Sequence, residues 1–337
     1  MNEVYPDIFL IKEKGNFGVI KPPENIYVLA GSDGIIYDAG YGTKRAVNHL
    51  IKEIKAIKKN YEEQNKNFHL SRIIISHCHP DHFSGLKRIR DALGVKIILT
   101  NKSAEIIKNK ENFKKSFEAD EYKDYLTIRN KISRRIVNTL RYISSNFFYQ
   151  KFYGVSYIDD PDEIIEENIK ISINGELWNI FSSPGHAIDH ISLYNEEKGI
   201  LFSGDNILRS ITTWLGPPNC NVAEYINTIK EIQNLSNLRL ILAAHGSPIE
   251  DPKERIVEIL EHRKERTKQV LNIIHDNFEY GIAPKDIIKS IYSNTGRVHH
   301  QIARGWVVLT LKMLEEKNLI KRKVAQKKIL FFPVEKD

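Results

Sequence analysis

"SHCHPDHFSG", residues 76–85, sets three histidines and an aspartate within the six positions from His77 to His82. The chain has only 12 histidines in 337 residues, so chance is a poor account of that density. The apolar run before Ser76 places His77 where a strand ends. His77 and His79, two apart on extended chain, can project to the same side. Pro80 forces a turn, and Asp81 and His82 can then face the same space from another direction. Neutral imidazole and carboxylate suit Zn²⁺, Fe²⁺ or Mn²⁺, and Zn–N bonds of about 2.0–2.1 Å demand tight convergence.

One cluster does not close a site, so other strand ends matter. "FSSPGH" ends at His186, "ILFSGD" at Asp205, and "LILAAHG" carries His245. Each is a lone polar residue beside glycine after an apolar run. Singly, each reads more readily as a turn residue than as a ligand. Together with the cluster they form a set. Cys78, between two inward-facing positions, alternates away from it.

The net charge of +7 is uneven. His262 to Asp337 holds 16 Lys and Arg against 8 Asp and Glu, and Asn101 to Lys151 holds 12 against 6, which leaves the rest acidic. Such basic segments can meet nucleic acid or anionic substrates, or be solvated helix faces. Two cysteines, Cys78 and Cys220, rule out a disulfide framework and make a reducing cytoplasm the expectation. The N-terminal stretch has no secretory pattern, and no apolar run reaches the roughly 18 residues of a membrane span.

"NIYVLAG", "DGIIYDAG", "SRIIISH" and "VKIILT" read as strands in the first hundred residues. "KRAVNHLIKEIKAIKKNYEEQ" repeats apolar residues at Val47, Leu50, Ile51, Ile54 and Ile57, a helical period. Residues 103–153 have almost no Gly or Pro and read as a helical insertion. It ends in an aromatic patch of Phe147, Phe148, Tyr149, Phe152 and Tyr153, either ordinary packing or a lid. Strands resume after Asp159. Asp251 then caps a long helix with Pro252 in its first position. The tail, helix, helix and basic strand–turn–strand, predicts a winged-helix-like unit.

The ordered set H-x-H-x-D-H, His, Asp, His resembles the metallo-β-lactamase superfamily, with all seven positions present. The glycines Gly185, Gly204 and Gly246 agree, and Asp38 of "DAG" is similar to the family's early aspartate. The resemblance covers roughly residues 4 to 262. It implies an α/β fold, the αββα sandwich, over residues 1–262, with the insertion at 103–153 and a winged-helix-like domain at 263–337. It assigns His77, His79 and His186 to one divalent ion and Asp81, His82 and His245 to a second, with Asp205 bridging. Asp38 would orient a ligand histidine, and His190 would be a buried hydrogen-bonding neighbour. Asp81 and Asp38 are the residues expected to take part in catalysis.

The resemblance further implies a hydrolase in which two ions, zinc first with iron or manganese as alternatives, share a hydroxide of depressed pKa. True β-lactamases of the fold lack the aspartate that stands here as Asp205. Flavodiiron proteins carry glutamate where His79 stands, and the large mRNA-processing nucleases insert a domain where only about forty residues separate Asp205 from His245. The expected substrate is a small thioester, lactone or related acyl compound. An endoribonuclease of the winged-helix lactamase-like group and a mononuclear iron persulfide dioxygenase are the alternatives. A ligand-sensing DNA-binding regulator is disfavoured, because a sensor need not keep a bridging carboxylate. RNA and a second copy of the chain are the other partners considered. Thr212, Thr213 and Trp214 are expected to line the mouth, and the insertion to set specificity.

Overall fold

Ile26 and Val28 point into one set of buried side chains, while Tyr27 and Leu29 point into another. Alternation of this kind, apolar on both faces, belongs to a strand covered on both sides. The structure, a computed structural model, describes residues 2–13, 21–116, 148–216, 219–293, 297–325 and 328–334.

The first sheet runs in chain order: β1 (Asn2–Tyr5), β2 (Ile8–Glu13), β3 (Glu24–Leu29), β4 (Gly34–Tyr37), β5 (Leu70–Ile74), β6 (Lys96–Thr100) and β7 (Glu163–Ile165). β1 to β4 are antiparallel neighbours, and β4 to β7 are parallel. The second sheet holds β8 (Ile169–Ile173), β9 (Glu176–Ser182), β10 (Ile191–Asn195), β11 (Ile200–Gly204) and β12 (Leu240–Ala243), in the order β12-β11-β10-β9-β8. Tyr27, Tyr37 and Ile74 of the first sheet meet Trp178, Leu193 and Phe202 of the second, forming the core between the sheets.

Helices cover the outer faces. α1 (Lys44–Glu63) starts at Thr43, whose side chain accepts from the Ala46 amide. It buries Val47, Leu50, Ile54, Ile57 and Tyr61 against the first sheet. Each such side chain contributes about 1.5–3 kcal/mol on burial. α2 (Pro80–Phe83) is a single turn, and α3 (Leu86–Leu93) follows it. α4 (Asn101–Ile107) and α5 (Lys110–Ser116) open the expected insertion, and a π-helical turn at Phe148–Tyr153 closes it. Phe147 and most of the insertion lie outside the described residues. Tyr149 and Tyr153 pack at the edge of the core beneath the first sheet, and Tyr153 stacks on Tyr41 with ring centroids 5.7 Å apart.

On the second sheet's outer face lie α6 (Val222–Gln233) and α7 (Pro252–His275), the latter capped by Asp251 accepting from the Glu254 amide. α8 (Pro284–Ile291), α9 (Arg297–Glu316) and the antiparallel pair β13 (Ile320–Ala325) and β14 (Lys328–Pro333) complete the chain. Val307, Leu311 and Phe331 share one buried cluster with Tyr225 and Ile229 of α6, so the C-terminal elements continue that core.

β1, β2 and β7 were not anticipated. β1 and β2 are joined at Pro6-Asp7, with Asp7 left-handed at φ 63°, in a turn too short to separate two apolar runs by eye. β7 has only three residues.

Candidate metal centre

The topology decides where polar groups meet. β4 and β5 are parallel, so their C-terminal ends, followed by Asp38 and His77, lie side by side. β3 is antiparallel to β4, so its first residue, Glu24, arrives at that same edge. In the second sheet β9 and β11 run the same way through β10, and β12 is parallel to β11. The chain leaving them delivers His186, Asp205 and His245.

Two glycines fit these exits. Gly185 has φ 134°, and a Cβ there would lie 2.3 Å from the Tyr225 backbone. Gly204 has φ 49°, and a Cβ would lie 2.4 Å from Nε2 of His190. Close backbone approach before His186 and Asp205 therefore excludes a side chain.

Among the described residues, two groups of donor atoms converge: His77, His79, His186 and Asp205, and Glu24, Asp81, His82 and His245. In the first, His77 Nε2 lies 2.8 Å from His79 Nδ1, which lies 3.0 Å from His186 Nε2. Asp205 Oδ2 is 3.3 Å from His186 Nε2. Tetrahedral bonds of 2.0–2.1 Å put neighbouring donors about 3.3 Å apart, so the spacing is near that of a metal site. Asp205 also faces the second group. Its Oδ1 is 3.3 Å from His245 Nε2 and 3.7 Å from His82 Nε2. Asp81 Oδ2 lies 3.8 Å from the same His245 nitrogen.

The far side of four of the rings is held. His77 Nδ1 lies 2.9 Å from Ser76 Oγ. His186 Nδ1 is 2.9 Å from the Trp214 carbonyl and 3.0 Å from Thr213 Oγ1. His245 Nδ1 donates to the Pro23 carbonyl at 2.5 Å. His82 Nδ1 lies 3.1 Å from Asp38 Oδ2, and Asp38 also accepts from the Ser76 amide and hydroxyl. These bonds select the tautomer that turns a lone pair inward, as the outer partners of metal-ligating histidines do. His190 accepts from the Asp205 amide at 3.2 Å through Nε2 and reaches Ser183 Oγ at 2.8 Å through Nδ1.

Burial first, then the neighbouring histidines, hold His77 and His79 well below the usual imidazole range. His186 is also lowered, chiefly by burial. For His82 burial opposes charge, but Asp38, Asp81 and Asp205 outweigh it and raise the ring to about 9. Asp205 and Asp81 likewise raise His245 to about 10 against its burial. Burial would raise Asp205, yet His245 and His82 bring it well below the carboxylate range. The buried atoms His82 Nε2, Asp205 Oδ1 and both Glu24 oxygens have no hydrogen-bond partner. Inward-facing, unpartnered donors fit divalent ions, since burying such groups unmatched is costly.

A family model, the metallo-beta-lactamase superfamily, matches residues 20–245. The chain belongs to the metallo-beta-lactamase superfamily. Members of that superfamily are typically hydrolases. The chain is 26% identical over 291 residues to a beta-lactamase-like protein 2 homolog of Caenorhabditis elegans, covering 86% of this chain and 78% of that one. It is 22% identical over 249 residues to an atrochrysone carboxyl ACP thioesterase of Aspergillus fumigatus, covering 73% of this chain and 58% of the relative. In fold it is similar to a metallo-beta-lactamase family protein of Thermus thermophilus, with TM-score 0.73, 17% identity, and 98% and 100% of the two chains covered. A beta-lactamase domain protein of Burkholderia ambifaria superposes with TM-score 0.75 and 18% identity, over 99% and 93% of the chains.

Against the superfamily pattern read in the sequence, all seven residues of the set stand in the two groups, and Asp38 stands behind His82. Glu24 lies outside that pattern and was missed. Its only signal was a charged residue at the start of an apolar strand, which reads as a boundary. Cys78 points away, toward the Ser103 carbonyl. Thr213 is buried against His186, whereas the Trp214 side chain is half exposed. The insertion reaches the edge of the site. Burial, with Asp81 next in effect, pushes the phenols of Tyr41 and Tyr153 up. Lys21, three residues before β3, ties that segment to the insertion by donating to the Phe152 carbonyl at 3.2 Å.

Proposed function

We propose that this protein is a dinuclear metal-dependent hydrolase of small acyl substrates, thioesters or lactones foremost. His77, His79 and His186 would hold one divalent ion, Asp81, His82 and His245 the other, and Asp205 would touch both. The observation that carries this reading is Asp205, whose two oxygens face the two donor groups separately. Two bound divalent ions supply a nucleophile from water at neutral pH and a Lewis acid for the substrate oxygen.

The chain's own residues do the rest. Asp38, the Pro23 carbonyl and the Trp214 carbonyl hold the imidazoles in one tautomer. His190 fixes the backbone of Asp205. Tyr153 and the exposed ring of Trp214 offer apolar surface for an acyl group. The likeness to a protein named as a thioesterase supports the acyl class. The second group of donors favours two ions over a mononuclear iron oxygenase. We read residues 263–337 as a winged-helix-like unit joined to the catalytic body through α7.

A second reading, an endoribonuclease, is favoured by β13, where Lys321, Arg322 and Lys323 are exposed on one ribbon. Metal-free protein reloaded with zinc, manganese or iron(II) and assayed against acyl thioesters, lactones and short RNAs tests both readings. Thioester or lactone turnover that disappears in Asp205→Ala supports the first. RNA cleavage without acyl turnover overturns it in favour of the second.

A further inference from the structure

Glu24 is fully buried, and neither of its carboxylate oxygens has a hydrogen-bond partner. Asp38, buried as deeply, accepts three hydrogen bonds. A carboxylate kept for structure resembles Asp38, because a buried acceptor without donors is destabilising. Glu24 instead faces two imidazole nitrogens and forms no hydrogen bond with either. Its Oε1 lies 3.2 Å from His82 Nδ1, the atom paired with Asp38. Its Oε2 lies 3.4 Å from His245 Nε2. The other nitrogen of His245 donates to the Pro23 carbonyl, so in the neutral ring Nε2 presents a lone pair to the carboxylate. With the ring neutral, as a metal ligand must be, the two groups lie at that distance when a cation, a proton or a metal ion, stands between or beside them.

The local backbone holds this arrangement firmly. Asn25 donates through its amide to the Ala244 carbonyl and through its side chain to the carbonyls of Ala243 and Gly246. Pro23 and Asn25, on either side of Glu24, thus grip the loop of His245. Four carboxylates, Glu24, Asp38, Asp81 and Asp205, surround the two donor groups, a charge that two dications balance.

We propose that Glu24 is an additional ligand of the second ion, which makes that position a carboxylate-rich site that takes manganese more readily than the first position does. The inference rests on the two-ion reading above and deepens it. Glu24, Asp81 and the shared Asp205 set three carboxylates beside two imidazoles, while the first position has three imidazoles and the shared Asp205. Oxygen-rich donor sets suit manganese, and imidazole-rich ones suit zinc. The two positions are therefore chemically unequal.

The test uses the full chain, stripped of metal and reloaded with Mn²⁺ alone or Mn²⁺ and Zn²⁺ in competition. Ions per chain are counted by elemental analysis, and Mn²⁺ binding is followed by electron paramagnetic resonance. The wild type should hold two ions. Glu24→Gln, which keeps the volume, should keep the first ion and bind the second at least about tenfold more weakly. Its bound Mn²⁺-to-Zn²⁺ ratio should fall. Glu24→Asp, one methylene shorter, should bind the second ion with intermediate affinity and serves if the glutamine variant does not fold. Two ions bound by Glu24→Gln as tightly and with the same preference as the wild type would overturn the ligand role and leave the two-ion reading standing. A wild type that binds fewer than two ions would overturn both.

Discussion

Asp38 Oδ2 sits 3.1 Å from Nδ1 of His82, on a residue whose backbone is left-handed at φ 66°. The left-handed turn lets the carboxylate bend back under β5 to accept from Ser76 and His82 together. Asparagine tolerates that backbone and keeps the shape, so Asp38→Asn isolates the loss of charge. Metal affinity at the second position should fall by about 10–100-fold while the first ion is retained. Metal titration of the stripped variant measures this. Unchanged affinity would show that His82 does not depend on the charge of Asp38.

The metal-free protein should bind ions with release of protons. His82, raised to about 9, and His245, raised to about 10, are both charged near neutral pH, whereas metal binding takes neutral imidazole. Calorimetric titration in buffers of different ionisation enthalpy should report about two protons displaced from these rings. Their stability contribution follows the same shifts. Folded values above the unfolded value of about 6.5 mean the contribution is full below that pH, declines above it and is gone beyond about 9 to 10. Thermal melts of metal-free protein should therefore drop across that interval. A flat profile would show that the pairs with Asp205 and Asp81 do not form.

Gly185→Ala should damage both stability and the site. The backbone at φ 134° disfavours a side chain, and the added Cβ would meet the Tyr225 backbone at 2.3 Å, where nothing can swing aside. Strain of this kind costs about 1–3 kcal/mol. Relieving it shifts His186 off the Trp214 carbonyl. Urea denaturation should show the loss, and metal analysis should show weaker retention of the first ion. Wild-type values in both would mean the loop adapts freely.

What could be read from the chain before any coordinates depended on how local each signal is. His77, His79, Asp81 and His82 are legible because a metal imposes residue types at fixed spacing within one turn. His186, Asp205 and His245 are legible only as a set, since each alone resembles a turn residue beside glycine. Glu24 is legible from none of this. It reaches the site because β3 runs antiparallel to β4, a relation between strands that no single stretch encodes. The hold of Thr213 on His186 and of Pro23 on His245 is equally non-local. The helical period of α1 was plain, being amphipathic along its own length, and α7 was legible from its Asp251–Pro252 start, whereas three-residue β7 carries no period at all.

The C-terminal elements pose the last test, because removing them is the obvious way to ask what they do. Val270 and Ile274 of α7 and Val307 and Leu311 of α9 share a buried cluster with Tyr225, Ile229 and Ile232 of α6. Arg263 and Arg266 lie over the Trp306 ring at 5.7 and 5.4 Å. Deletion from Thr267 would strip one face of α6, so the shortened chain should aggregate rather than report on function. Exposed positions allow a cleaner separation. Lys321 and Lys323, two apart on β13, share one face of the ribbon. Reversing both to glutamate should change stability by no more than about 0.5 kcal/mol. Acyl hydrolysis should persist at the wild-type rate, because neither lysine belongs to the converging groups. Any RNA cleavage or binding should collapse and lose its steep salt dependence. Loss of acyl turnover in this double variant, with the melting temperature unchanged, would show that the ribbon serves the hydrolytic site itself.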